Sequence, residues 1–248
     1  MIILKSPDEI AVIKEGAKIL AEIVKNLEEE AKPGITTKYL DKVASDLIFK
    51  FGAKPSFKNH MGFPAALCAS VNEIIVHGIP SERKLEEGDL LSLDLGVFYK
   101  GFHSDMAVTV AVGRTAKENL KLLSVAKKAL EIAVKKAKPG NTFGDIGFAI
   151  QKFAEDKGYN VVRELCGHGI GKNLHEDPQI PNYGKKGTGE EIKEGMVFCI
   201  EPMLTVGDWH IKRAKDGYGF ASCDGSLSAH FEHTVAITKN GAKVLTKL

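Results

Sequence analysis

The sequence predicts an α/β fold made of two related halves that share one curved sheet, and an internal repeat is the main reason. The hexapeptide AKPGIT at residues 31–36 returns as AKPGNT at residues 137–142, an offset of 106. Residues 87–94 and 194–201 match at an offset of 107, and each predicts a turn followed by a short apolar strand that ends on a carboxylate. A chance match of common turn dipeptides is the alternative, but several features in one order favour a duplication.

The first predicted element is a helix that begins at Ser6. This residue is a suitable N-cap because Pro7 follows at the first helical position and Glu9 closes a capping box. Apolar residues then recur at steps of three and four as far as Leu27, which is the spacing of an amphipathic helix.

Each copy of the hexapeptide ends one helix with Pro-Gly and is followed by another. These second helices end at Gly52 and Gly158, which are again 106 residues apart. We therefore expect one domain over residues 1–248, with half-repeats at about 6–113 and 114–248.

Charge and cysteine usage exclude several classes of protein. Lys and Arg number 34 against 32 Asp and Glu, a net charge of +2, which does not indicate nucleic acid or an anionic membrane as the main partner. No apolar run approaches the ~20 residues that span a bilayer. The cysteines lack C-x-x-C spacing, which disfavours a disulfide framework or zinc ribbon and predicts a cytoplasmic location: Cys68, Cys166, Cys199 and Cys223.

Two carboxylates of the first half are predicted to face each other on a hairpin. Asp94 ends an apolar strand, and the chain returns through Asp105 after a turn at residues 99–101. The two aspartates are symmetric about position 99.5, so a hairpin centred there would place them directly opposite, on one face of the sheet.

The second half repeats this arrangement with a longer connection. Glu201 ends one apolar strand and Glu232 begins another. The additional residues cover roughly 208–225, including Trp209, Tyr218 and Phe220, and we expect them to form a loop over the site.

Four buried carboxylates in one place repel one another unless cations neutralise them. Two divalent ions about 3.5–4 Å apart suit such a set, because a shared carboxylate can bridge them. His168, in the glycine-rich segment 166–171, is the fifth candidate ligand. Four carboxylates and one imidazole favour manganese, iron or cobalt and tolerate zinc.

Other interpretations of the histidine segments fail on spacing. A Walker loop needs glycine at Cys166, and G-x-G-x-x-G needs glycine at Lys172. H-E-x-x-H is absent too, because Gln179 stands where the second histidine would follow His175. A histidine in a simple glycine turn remains an alternative for His168.

The ordered set Asp94, Asp105, His168, Glu201 and Glu232 resembles the dinuclear site of methionine aminopeptidases with the pita-bread fold. Matching segments are VNE at 71–73, HGIP at 77–80, GFHSD at 101–105, CGHGIG at 166–171, HEDPQ at 175–179, IEPM at 200–203 and FEHT at 231–234. The similarity extends from residue 1 to 248 and is to type I enzymes of the short bacterial kind. It implies a curved antiparallel sheet with the metal site on its concave face.

The resemblance also implies roles for other residues. His77 would contact the scissile amide, His175 would stabilise the substrate carbonyl, and Glu201 would act as catalytic base as well as metal ligand. The substrate-binding pocket for methionine would include Phe63, Cys68, His60 and Trp209. The family often has tyrosine at the positions of Phe63 and His60.

The implied function is removal of the initiator methionine from nascent proteins with a small second residue, through a water or hydroxide shared by two divalent ions. An Xaa-Pro peptidase, whose family members usually carry a further N-terminal domain, and a metal-free binding protein on the same scaffold are the alternatives. We expect a cytoplasmic monomer that acts on methionyl peptides. Lysines around residues 117–138 form either a ribosome contact or, preferably, a solvated helix face.

Overall fold

The computed structural model describes all residues, 1–248, as a mixed α/β chain with four helices and fifteen strands. The helices are α1 (Pro7–Glu30), α2 (Thr37–Lys50), α3 (Lys117–Lys136) and α4 (Phe143–Glu155). The first-half strands are β1 (Lys54–Pro55), β2 (Leu67–Val71), β3 (Ile74–Val76), β4 (Leu90–Tyr99) and β5 (Phe102–Ala111). The second-half strands are β6 (Asn160–Val161), β7 (Cys166–Gly169), β8 (Glu176–Pro181), β9 (Val197–Ile200), β10 (Met203–Thr205), β11 (Ile211–Arg213), β12 (Phe220–Ser222), β13 (Ser228–His230), β14 (Glu232–Thr238) and β15 (Gly241–Val244).

The main sheet has nine strands in the order β1-β4-β5-β14-β9-β7-β8, with β2 on β4 and β15 on β14. All its pairs are antiparallel, as predicted. β5 of the first half pairs with β14 of the second, where Glu232 lies opposite Ala107. The two halves therefore meet in the middle of one continuous sheet.

The helices recur at the predicted offset. α2 begins at Thr37 and α4 at Phe143, and the offset between these starts is that of the hexapeptide repeat. Isolated bridges join Thr36 to Lys84 and Thr142 to Glu191, so each hexapeptide contacts the turn before its own central strand. The local structure of the two halves thus follows the sequence repeat.

The predicted start of α1 is confirmed. The Ser6 hydroxyl accepts a hydrogen bond from the backbone N–H of Glu9 at 3.2 Å, and the Glu9 carboxylate accepts one from the N–H of Ser6 at 2.9 Å. These bonds satisfy two N–H groups that the helix itself leaves free. None of the helices is long and apolar enough to cross a membrane.

The alternation of side chains places helices and acids on opposite faces of the sheet. Leu91, Leu93 and Leu95 of β4 pack in a core with α1 and α2, whereas Asp94 lies between them and projects to the other face. In the second half, Val235 and Ile237 of β14 pack in a core with α3 and α4. Glu232 and Thr234 have the opposite parity and share the face of Asp94.

The predicted register of the central hairpin is wrong by two residues. Asp94 pairs with Ala107, and Asp105 pairs with Gly96. A tight two-residue turn needs positive φ at both central positions, and Lys100 (φ 48°) and Gly101 (φ 90°) supply it. The turn is therefore centred between these residues, and the aspartates are diagonal neighbours on the same face.

The structure also decides two points of the second half. His168 lies within strand β7 and not in a simple glycine turn. The segment 208–225 is not an irregular loop, because β11 and β12 form a hairpin whose second strand pairs with β3.

Helix α3 buries one side and exposes the other. Leu120 is 50% exposed, whereas Leu122 and Val125 are buried. Leu122 and Val125 are three residues apart and lie on the stripe that faces the sheet, whereas Leu120 lies outside it. The lysines of α3 occupy the remaining, solvent-facing surface.

Candidate metal centre and active site

The predicted metal ligands line one cavity of about 840 Å³ on the face of the sheet that carries the acids. Asp94 comes from β4, Asp105 from β5, Glu232 from β14 and Glu201 from the residue after β9. His168 comes from β7 and completes the predicted set. The main sheet thus brings together residues that are as far apart in sequence as 94 and 232.

Ligand atoms in this cavity fall into two groups that share Glu232. Asp94, Asp105 and Glu232 offer oxygen atoms that all lie within 4.8 Å of one another, and His168, Cys199 and Glu232 form a second such group. Glu201 lies beside the second group, because its Oε1 is 3.7 Å from His168 Nε2. The predicted set of five therefore occupies a single continuous site.

The carboxylates are strongly perturbed in the absence of a cation. Burial, followed by repulsion from Glu201, raises the pKa of Asp105 to about 8, and burial raises the pKa of Glu201 to about 8. The pKa values of Asp94 and Glu232 are raised well above normal by burial and by neighbouring carboxylates. Four acids that cannot all ionise together are the electrostatic signature of a cation site.

The donor set fits divalent metal ions. Asp94, Asp105 and Glu232 are 6%, 3% and 2% exposed, and Glu232 Oε1 is buried with no hydrogen-bond partner. An unpartnered buried carboxylate oxygen is costly unless a cation or proton satisfies it. Oxygen-rich ligands with one imidazole suit manganese, iron, cobalt and zinc.

Cys199 lies next to the predicted ligands, although sequence reasoning did not select it. Its Sγ is 3.5 Å from the Thr234 hydroxyl oxygen. Burial and the charges of Glu232 and Asp105 raise the pKa of this thiol well above normal. A protonated thiol is a poor ligand, so the oxygen atoms and His168 remain the stronger ligand set.

The Thr234 side chain fixes the backbone of Asp105. Its hydroxyl accepts a hydrogen bond from the Asp105 N–H at 2.9 Å and donates one to the Asp105 carbonyl at 2.7 Å. Both residues are buried in the middle of the sheet. This contact between β5 and β14 holds a ligand of the first half against a strand of the second.

His77 and His175 both line the same cavity. His77 has a left-handed backbone (φ 59°), and its ring lies 5.9 Å from that of Phe220. Burial lowers the pKa of His77 to about 4, so the ring is neutral near pH 7. The His175 ring lies edge-on to His168 at a centroid distance of 4.5 Å, and burial followed by the charge of His60 lowers its pKa.

A buried ion pair anchors the turn that carries His175. Lys5 Nζ lies 2.5 Å from Glu176 Oε2, and these side chains are only 3% and 6% exposed. The other Glu176 oxygen accepts a hydrogen bond from the Asn173 N–H at 3.0 Å. The residue next to His175 is therefore fixed from two directions.

Three of the four residues predicted for a methionine pocket line the cavity. Phe63, Cys68 and His60 line the cavity, and Tyr218 packs edge-on against Phe63 at 5.7 Å. Trp209 does not line it, contrary to the prediction, because its indole stacks on His210 at 3.7 Å and contacts the Arg163 guanidinium. The hairpin β11–β12 turns Tyr218 toward the cavity and leaves Trp209 outside.

Sequence reasoning also missed His230, whose imidazole is 1% exposed and has no hydrogen-bond partner at either nitrogen. Its Nε2 lies 3.5 Å from Glu201 Oε2, and burial lowers its pKa to about 3. The position of His230, two residues before Glu232, was the available signal, because residues i and i+2 of an extended strand share a face.

These features define a protein with a buried site for divalent metal ions, and comparison with known proteins identifies its family. The sequence profile of metallopeptidase family M24 matches residues 11–239, so the chain belongs to this family. It is 47% identical to a methionine aminopeptidase of Clostridium acetobutylicum over 99% of both chains. It is 45% identical to methionine aminopeptidase 1 of Bacillus subtilis over 100% of both chains.

Solved structures agree with this assignment. The crystal structure of methionine aminopeptidase from Thermotoga maritima superposes with a TM-score of 0.98 at 43% identity and covers 100% of both chains. Prolidase from Pyrococcus furiosus has a TM-score of 0.82 at 28% identity, over 99% of this chain and 66% of the prolidase. The predicted pita-bread fold and the resemblance to methionine aminopeptidases are thereby confirmed.

Proposed function

We propose that this chain is a metal-dependent aminopeptidase that hydrolyses the bond after an N-terminal methionine. The observation that carries the proposal is the cavity in which three buried carboxylates, the partly buried Glu201, and the histidines His168, His77 and His175 lie together beside an apolar pocket. Identities of 45–47% to methionine aminopeptidases over nearly the whole chain support the same activity.

Asp94, Asp105, His168, Glu201 and Glu232 would hold two divalent ions. The two groups of ligand atoms share Glu232, which is the arrangement expected of a carboxylate that bridges two ions. Divalent ions bound there would supply Lewis acidity, which lowers the pKa of water and polarises a carbonyl.

The protein's own groups would perform the proton transfers. Glu201 would accept a proton from the attacking water and deliver it to the leaving amine. His175 would donate a hydrogen bond to the scissile carbonyl oxygen, where negative charge develops. Burial keeps the pKa of His77 near 4, so its neutral ring could donate a hydrogen bond to, or accept one from, the scissile amide.

The side chain of the substrate methionine would bind among Phe63, Cys68, His60 and Tyr218. Phe63 and Cys68 are buried, 7% and 3% exposed, and give the pocket an apolar wall. Burial and the charge of Asp94 raise the pKa of Cys68, which favours a pocket-lining thiol over a nucleophile. A narrow exit past this pocket would select a small second residue.

The biological setting follows from this activity. The substrates would be methionyl peptides and nascent chains, and the enzyme would be a cytoplasmic monomer with four free cysteines. A transient ribosome contact through the lysines of α3 would bring it to its substrates, although the same lysines also serve as a solvated helix face.

Release of methionine from matched peptides tests the proposal. Peptides that begin Met-Ala, Met-Leu and Ala-Pro would be assayed after chelation and after addition of manganese, iron, cobalt or zinc. We expect metal-dependent cleavage of Met-Ala only. Cleavage of Ala-Pro alone would assign the chain to the Xaa-Pro class, to which the prolidase similarity also points. A folded protein that cleaves none of the peptides would support the non-catalytic alternative.

A further inference from the structure

His60 and His175 form a pair of imidazoles in the cavity, although 115 residues separate them. His60 Nε2 lies 3.3 Å from His175 Nδ1, and the ring planes meet at 64° with centroids 5.1 Å apart. This is the only hydrogen bond that the His175 side chain makes. The remaining nitrogen of His175, Nε2, is therefore free of any protein partner.

The segment that carries His60 is held firmly. The His60 N–H donates to the Phe57 carbonyl at 2.9 Å, and the His60 carbonyl accepts from the Phe63 N–H at 2.9 Å. On the other side, the Tyr218 hydroxyl donates to the Gly62 carbonyl at 2.8 Å. The backbone of His60 is thus fixed near the hairpin β11–β12, which places its ring beside His175.

A neutral imidazole has one N–H donor and one acceptor nitrogen, and the bond made by one nitrogen determines the role of the other. If His60 donates its Nε2–H to Nδ1 of His175, the proton of His175 resides on Nε2. His175 then presents a donor at Nε2, which is the group required to stabilise a developing oxyanion.

We propose that His60 is a positioning residue for His175, which it holds in one orientation and in the tautomer that carries the proton on Nε2. The inference rests on the proposed function, because the carbonyl that His175 serves belongs to that reaction. It assigns His60 a task beyond that of a pocket wall. The pair depends on histidine at position 60, where the family often has tyrosine.

Kinetics distinguish the two tasks. Loss of a pocket wall weakens substrate binding and raises KM with kcat unchanged, whereas loss of an interaction used only in the transition state lowers kcat and kcat/KM equally. His60→Phe keeps an aromatic wall but removes both ring nitrogens. His60→Gln is the matched variant, because its side-chain amide can still donate to Nδ1 of His175.

We expect His60→Phe to lower kcat on a Met-Ala peptide about tenfold with KM nearly unchanged, which is the value of one hydrogen bond in the transition state. His60→Gln should recover most of this loss. A higher KM with unchanged kcat in His60→Phe would overturn the proposal in favour of a wall, and so would equal kcat values for the wild type and both variants.

Nitrogen NMR of the metal-free protein, labelled with ¹⁵N-histidine, provides a readout independent of activity. We expect Nδ1 of His175 to be unprotonated and hydrogen-bonded in the wild type and in His60→Gln. In His60→Phe the two nitrogens of His175 should shift toward a mixture of tautomers. Identical His175 signals in all three proteins would overturn the proposal.

The two arms also separate this inference from the proposed function. A wild-type protein that releases no methionine contradicts the proposed function, while the NMR comparison still tests the His60–His175 bond. An active wild type whose His175 signals do not depend on residue 60 contradicts the positioning role alone.

Discussion

The electrostatics of the site depend on individual residues, and Glu232 is the clearest example. It belongs to both groups of ligand atoms, it is 2% exposed, and its Oε1 has no partner. Its neighbours Asp105 and Glu201 have pKa values raised to about 8. A metal-free protein therefore retains protons on these carboxyl groups at pH values where ordinary carboxylates are ionised.

The role of Glu201 is tested by Glu201→Gln, which keeps size and shape but removes the base. We expect methionine release from a Met-Ala peptide to fall at least a hundredfold, because general-base catalysis contributes about 10²–10⁴. Metal content is measured on the same sample to separate loss of base from loss of metal.

Glu194→Gln is the matched control for Glu201→Gln, because Glu194 is exposed in the turn before β9 and does not line the cavity. It should retain full activity. Full turnover by Glu201→Gln with metals bound would disprove the proton-transfer role.

The metal-free protein should lose stability as pH rises from about 7.5 to 8.5. The pKa values of Asp105 and Glu201 are raised from an unfolded value near 4 to about 8, so the native state binds more protons in this window. Stability then falls with pH, by at most about 1.4 kcal/mol per pH unit for each such group.

The lower limit of this window comes from the histidines. The pKa values of His77 and His168 are lowered to about 4 and about 3, so their contribution runs in the opposite direction and ends about one pH unit above the unfolded pKa of about 6.5. Urea unfolding with chelator at several pH values measures the slope. Asp105→Asn should make it shallower, and a stability that rises across this window would contradict the account.

Among the secondary-structure elements, β7 shows why glycines flank the candidate metal ligand His168. It pairs with β8 and contacts β9. A Cβ on Gly167 would lie 2.4 Å from the Cys199 carbonyl oxygen, and one on Gly169 would lie 2.0 Å from that of Asp177. The glycines on both sides of His168 let the three strands approach closely, which fixes the imidazole in the site.

Gly169→Ala should therefore displace β7. We expect a loss of about 1–3 kcal/mol in unfolding free energy, the usual cost of overpacking, and a fall of about tenfold in affinity for Mn²⁺, because His168 moves with the strand. Urea unfolding and calorimetric titration measure these two quantities.

Gly34→Ala provides the comparison for Gly169→Ala. Gly34 has a positive φ of 89°, but no atom lies within 4 Å of an added Cβ. This variant should cost about 1 kcal/mol of backbone strain and leave Mn²⁺ affinity unchanged. Equal metal affinity in both variants would show that close packing around β7 does not position His168.

At the scale of the whole molecule, the site depends on contact between the halves. Asp94 and Asp105 come from β4 and β5, whereas His168, Glu201 and Glu232 follow from the second half. Separate cores stabilise the two helix pairs, and a third core, which joins α1, β2, β9 and β14, borders the cavity. Neither half alone carries the complete ligand set.

Metal binding should thus stabilise both halves together. At free Mn²⁺ about 100 times the dissociation constant, we expect unfolding free energy to rise by about 2.7 kcal/mol. Thermal unfolding monitored by circular dichroism should show one transition that moves upward with Mn²⁺ and returns with chelator. If two transitions appear and only one of them moves with Mn²⁺, a single half binds the metal.

Features that depend on neighbouring residues, or on the internal repeat, could be predicted from the sequence alone. The capping box of Ser6 and Glu9, the strand that ends at Glu201 and the recurrence of α2 as α4 are all local signals, since caps, turns and apolar periodicity act within a few residues. The residues alone also suggested all five candidate ligands, and the resemblance favoured His168 as a ligand over a histidine in a simple glycine turn.

The contacts between side chains that are far apart in sequence are seen only in the folded structure. It placed Tyr218 in the cavity in place of Trp209, paired His60 with His175 and brought His230 to 3.5 Å from Glu201. It also shifted the register of Asp94 relative to Asp105. These contacts depend on turn geometry and on the packing of the two halves against each other. Packing between segments that are far apart in sequence produces no periodic pattern along the chain, so the sequence alone does not indicate it.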